Sequence, residues 1–84
     1  MNNTIMLSVT VTTGWQPLSA GKLVCRCTIS TPPDNAGAVT FKGDNDSETP
    51  WQAGEWHEFR QIDLSRIDVK GTAGDTVTVV GETV

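Results

Sequence analysis

Leu23 to Ser30 reads L-V-C-R-C-T-I-S. Leu23, Cys25, Cys27 and Ile29 alternate with Val24, Arg26, Thr28 and Ser30. A period of two is the mark of a strand with one buried face, and Arg26 identifies the wet one. The same period runs through Ile5, Leu7, Val9 and Val11, set between Met6, Ser8, Thr10 and Thr12. The 84 residues contain 9 Val and 12 Thr against 4 Leu and 5 Ala. Branching at Cβ restricts rotamers in helices and suits a pleated surface, so the composition points to an all-β fold.

Working outward, Gly14 to Gly21 reads as a loop. Thr31-Pro32-Pro33-Asp34-Asn35-Ala36-Gly37 must be another, because consecutive prolines cannot donate to a ladder. Ala38–Lys42 is a short strand, and Gly43–Pro50 is a polar loop of turn formers. Trp56–Ile62 reads as a strand on composition. Its apolar positions Trp56, Phe59 and Ile62 fall three apart, however, a spacing that also fits a short helix. Arg66–Lys70 and Asp75–Gly81 alternate on either side of Gly71-Thr72-Ala73-Gly74 and form the clearest hairpin signal in the chain. The expectation is one domain over 1–84 with six or seven strands, built as a small antiparallel β-sandwich of jelly-roll type; a small open β-barrel is the alternative.

The net charge is −4. Six acids (Asp34, Asp44, Asp46, Glu48, Glu55, Glu58) crowd between residues 34 and 58 against one base, Lys42. Such a segment repels phosphate, so no nucleic-acid partner is expected. The start, MNNTIMLSVTV, has neither a basic leader nor a long apolar run. It reads as neither signal peptide nor membrane span, and the protein is expected to stay in a cytoplasm with no membrane partner. Cys25 and Cys27 point to one face of one strand, too close along the chain to bridge without strain, and read as small apolar residues.

Catalytic patterns are incomplete. His57-Glu58-Phe59-Arg60-Gln61 resembles the zinc-protease H-E-x-x-H, but Gln61 stands where the second histidine belongs. Asp44, Asp46, Glu48 and Glu55 fall at positions 1, 3, 5 and 12 of a calcium loop. Thr49 occupies the place of its obligatory glycine, and Pro50 follows. A looser cation site in the acidic loop 44–55 stays open. His57 is the sole imidazole, and no nucleophile elbow or phosphate loop accompanies it. No catalytic, cofactor or metal residue is assigned, and the chain is expected to be a binding protein, not an enzyme. Trp15, Trp51 and Trp56 lie in or beside loops. Aromatic anchors dominate protein interfaces, and Trp51, Trp15, Pro32 and Pro33 are the expected contact residues, with Trp51 foremost.

Gly54–Gly81, GEWHEFRQIDLSRIDVKGTAGDTVTVVG, resembles small proteins encoded in the structural gene clusters of tailed bacteriophages. The resemblance lies in Asp63-Leu64-Ser65-x-Ile67-x-Val69-x-Gly71 followed by a Gly-Asp turn. It implies a virion component, in the first place a capsid decoration or cement protein, found in the virion and in the host cytoplasm during assembly. The major capsid protein or another virion protein would be its partner, and copies of the chain would form a homo-oligomer. A receptor- or glycan-binding module of a tail or fibre, and a small protein that binds a host enzyme, are the alternatives.

Overall fold

The computed structural model describes residues 3–84. Eight strands are present: β1 (Thr4–Thr10), β2 (Gln16–Pro17), β3 (Val24–Ser30), β4 (Val39–Lys42), β5 (Thr49–Trp51), β6 (Trp56–Asp63), β7 (Asp68–Lys70) and β8 (Thr76–Thr83). A 3-10 turn, Leu64–Arg66, joins β6 to β7. The strands form two four-stranded sheets ordered β1-β8-β3-β6 and β2-β7-β4-β5. All neighbouring strands are antiparallel. The chain changes sheet at every connection except β4 to β5. This is jelly-roll connectivity in a closed-packed sandwich.

The alternations read from the sequence fill the space between the sheets. Ile29, Val77, Val79 and Val11 come from the first-sheet side and Val39 and Val69 from the second, all fully buried. Each contributes about 1.5–3 kcal/mol by leaving water. Leu64, also fully buried, closes one end. Its turn is capped by the Asp63 carboxylate, which accepts from Ser65 N (3.0 Å), Ser65 Oγ (2.7 Å) and Leu23 N (3.1 Å). The Ser65 hydroxyl first, then the Leu23 amide, hold that carboxyl below its usual range. The Asp63-Leu64-Ser65 triplet is therefore a cap and a plug.

Two expectations are corrected. The described residues form eight strands, not six or seven, because β2 and β5 lie in segments read as loops. Each contains a proline, Pro17 or Pro50, and each is an edge of the second sheet, where a missing N–H breaks no ladder. The segments around Gly71–Gly74 do not make a hairpin. β7 pairs with β2 and β4, whereas β8 pairs with β1 and β3. The turn is a corner between sheets, held by Gly71 N to Thr12 O (2.9 Å) and Gly74 N to Val11 O (3.2 Å). Val69 and Val77 thus enter the core from opposite sheets.

Trp56–Asp63 is a strand, as its composition indicated, and it carries a bulge. Cys27 pairs with Phe59 and Cys25 with Ile62, so Arg26 faces both Arg60 and Gln61. The extra residue turns Phe59 and Ile62 to one side although they are three apart. It accounts for the spacing that also suited a helix.

Cys25 and Cys27 are buried free thiols. Burial above all, then the neighbouring Cys25, pushes the Cys27 thiol up to about 12. It stays protonated at neutral pH and packs as an apolar group.

Candidate interaction surfaces

The jelly roll gathers its connections at two ends. The segments 11–15, 31–38, 52–55 and 71–75 share one end and are tied to each other. Thr31 is almost fully buried. Its hydroxyl donates to Gln52 O (2.7 Å) and Glu55 O (3.1 Å), while Gly54 N donates to Thr31 O (2.7 Å). Asn35 continues the β8 ladder with its side chain, giving Nδ2 to Thr76 O (2.9 Å) and accepting from Thr76 N (3.0 Å). The buried Asp75 carboxylate accepts from Ala36 N (2.9 Å) and Gly37 N (3.1 Å). The Pro32-Pro33 loop is therefore a fixed shape on this end, with Pro33 exposed and Pro32 half-buried.

Trp51 is not at the surface. It is 7% exposed, stacked on Phe41 with ring centroids 3.8 Å apart and planes 19° apart. The expectation of an anchor at Trp51 is corrected: β5 turns the ring inward, because Pro50 occupies the outward position opposite Thr40. His57 closes the stack edge-on at 4.7 Å. Its Nε2 lies 2.7 Å from Glu55 Oε2. That contact, followed by the Gln52 amide, keeps the Glu55 carboxyl below its usual range. The histidine singled out by the protease-like pattern is thus a structural partner of the 52–55 turn.

Trp15 is half-buried on the outside of the second sheet. Lys42 Nζ and Lys70 Nζ lie 4.4 and 4.6 Å from its ring centroid. Ammonium groups over an indole are attracted to its π-face, so this ring is occupied by its own chain. Trp56, which sequence reasoning placed behind the other two, is the exposed one at 58%.

The acidic loop is a hairpin turn. Asp44 Oδ1 accepts from Arg66 Nε at 3.0 Å, and Asp46 takes a φ of 60°. Among the described residues no three His, Cys, Asp or Glu side chains converge as a metal site would need.

What remains open is the outer face of the first sheet. Its rows read across the strands as Met6, Val80, Thr28, Glu58 and as Ser8, Thr78, Ser30, Trp56. Val80 is 52% exposed and Met6 74%. Ser30 Oγ and Thr78 Oγ1 share a 2.6 Å hydrogen bond, which fixes the middle of the face. At the end near the bulge the sheet curls into a groove of about 810 Å³. Arg26, Thr28, Glu58, Arg60, Val80 and Glu82 line it. Arg26 Nε and Glu82 Oε1 stand 3.7 Å apart across it. The groove was not legible in the sequence, since it depends on which strands become neighbours and where β6 bulges. Comparison of the chain with protein-family models, curated proteins and solved structures finds no match.

Proposed function

We propose that the chain is a binding module that engages a protein partner through the outer face of the first sheet. The observation that carries this reading is the placement of Val80 and Trp56 on the same face as the groove, exposed side chains of a kind that interfaces bury. Arg26, Glu58, Arg60 and Glu82 line the groove with mixed charge, beside the exposed apolar side chains of Met6, Val80 and Trp56. The narrower form of the proposal is a capsid decoration protein. It is supported by the resemblance of Gly54–Gly81 to phage virion proteins and by the recurrence of jelly rolls among viral capsid domains. Many weak contacts on a repeating lattice add by avidity, and a stiff sandwich suits that use.

The test is co-sedimentation with expanded, undecorated heads of tailed phages. Saturable binding is expected, with Val80→Lys and Trp56→Ala each weakening it about tenfold or more. Absence of binding to heads would discard the decoration role. Binding that both variants leave unchanged would discard this face.

A further inference from the structure

We propose that β1 pairs edge to edge with β1 of a second copy, antiparallel and about a two-fold axis at Met6. The inference is independent of the proposed function and rests on the four sheet edges. Exposed edges invite pairing, and natural sheets blunt them with prolines, charges, bulges or shortness. β2 is two residues long and contains Pro17. β5 is three residues long and contains Pro50. β6 is bulged opposite Arg26 and carries His57, Glu58, Arg60 and Asp63. β1 has none of these devices. Its seven residues, TIMLSVT, hold no charge and no proline, and its register with β8 is unbroken from Thr4 to Thr10.

The direction of its backbone groups selects the partner's register. Thr83 N donates to Asn3 O and Val11 N to Asp75 O, so the odd-numbered residues of this strand turn toward β8. Antiparallel ladders alternate, which turns the N–H and C=O of Thr4, Met6, Ser8 and Thr10 to the open side. Gln16 Nε2 already donates to Thr10 O. The groups of Thr4, Met6 and Ser8 have no strand partner among the described residues.

A two-fold axis at Met6 uses all of them. Met6 then faces Met6 of the copy and Thr4 faces Ser8, and the three pairs exchange about six backbone hydrogen bonds. On the inner side, Ile5 meets Leu7 of the copy. Leu7 and Val9, half-buried although they point toward the core, gain cover. On the outer side the 74% exposed Met6 lies against its counterpart. Each chain carries a net charge of −4, so copies repel in general. The uncharged strip is where they can meet without opposing like charges. The result is one eight-stranded sheet across the dimer. Seven residues give a strip about 24 Å long, below the area of a standard interface, so dissociation is expected in the micromolar range or weaker.

Analytical ultracentrifugation of the full chain, from about 1 µM to about 1 mM, tests this. Wild type is expected to pass from monomer to dimer in that range. Met6→Lys and Met6→Glu each place like charges face to face and are expected to weaken the dimer at least tenfold. An equimolar mixture of the two is expected to restore it. Met6 is solvent-facing, so both variants should keep the wild-type thermal melt. A wild type that stays monomeric at about 1 mM, a dimer indifferent to both charges, or a mixture that fails to associate would each overturn the proposal.

Discussion

Replacing Gly81 with alanine is expected to destabilise the chain by about 4 kcal/mol or more, among the largest effects a single methyl can have. Gly81 lies in β8 between Ile5 of β1 and Cys27 of β3. A Cβ there would run into the Arg26 carbonyl oxygen and would sit 2.6 Å from Cys27 Cα and 2.7 Å from Cys27 Cβ. These are backbone and anchored atoms of an interior strand. β3 cannot retreat without also leaving β6, so the methyl breaks pairing on both sides. A domain of this length has roughly 4–13 kcal/mol in total, so the variant is expected to be largely unfolded or close to it. Urea unfolding followed by tryptophan fluorescence is the measurement. Gly43→Ala, where nothing stands within 4 Å of the added carbon, is expected to stay within about 0.5 kcal/mol of wild type. A Gly81→Ala midpoint equal to that of Gly43→Ala would show that β8 and β3 do not approach as described.

Asp75→Ala carries the second large expectation, a loss of about 2–4 kcal/mol. The carboxylate is buried and accepts two backbone N–H groups from the loop that follows Pro32-Pro33. Alanine leaves both part-buried donors without their acceptor. Bonds to a charged acceptor are worth more than neutral ones, and the orphaned donors bear the cost. Amide exchange distinguishes this cause from a general loss of packing. Ala36 and Gly37 should lose protection first, ahead of the β1–β8 ladder. Uniform loosening of the whole molecule, or no change at all, would contradict the role given to Asp75.

Neither residue announces itself in the sequence. Gly81 sits in D-T-V-T-V-V-G, where a glycine reads as the end of a strand, and Asp75 follows Gly74, where an acid reads as part of a turn. Their roles come from contacts to β3, 54 residues from Gly81, and to the 31–37 loop, 39 residues from Asp75, and are set by tertiary packing. What the sequence did carry was periodicity: the alternating stretches from Ile5, Leu23 and Asp75 fall on β1, β3 and β8, and in the first two the buried face is the one that the alternation assigned. Periodicity does not say which sheet a strand joins. Val69 and Val77 alternate in the same way whether they flank a hairpin or enter a core from opposite sheets, and that ambiguity produced the mistaken hairpin. Burial of Trp51 was hidden for a related reason. A proline beside a tryptophan reads as a loop until the strand it occupies is known to be an edge. The open face of the first sheet was half visible, in the outward-facing alternates Arg26, Thr28 and Ser30, but Trp56 joined it only once the bulge had fixed the orientation of β6.

The two proposals draw on different parts of one sheet. The face uses Val80 and Trp56, and the edge uses the backbone of Thr4, Met6 and Ser8. Both depend on β8 lying inside the first sheet, between β1 and β3. Cross-strand nuclear Overhauser contacts in the labelled protein test that placement directly. Backbone contacts of Val80 to both Met6 and Thr28 are the predicted result. Contacts of Val69 to Thr76 and of Lys70 to Asp75, the signature of a hairpin over Gly71–Gly74, would contradict it.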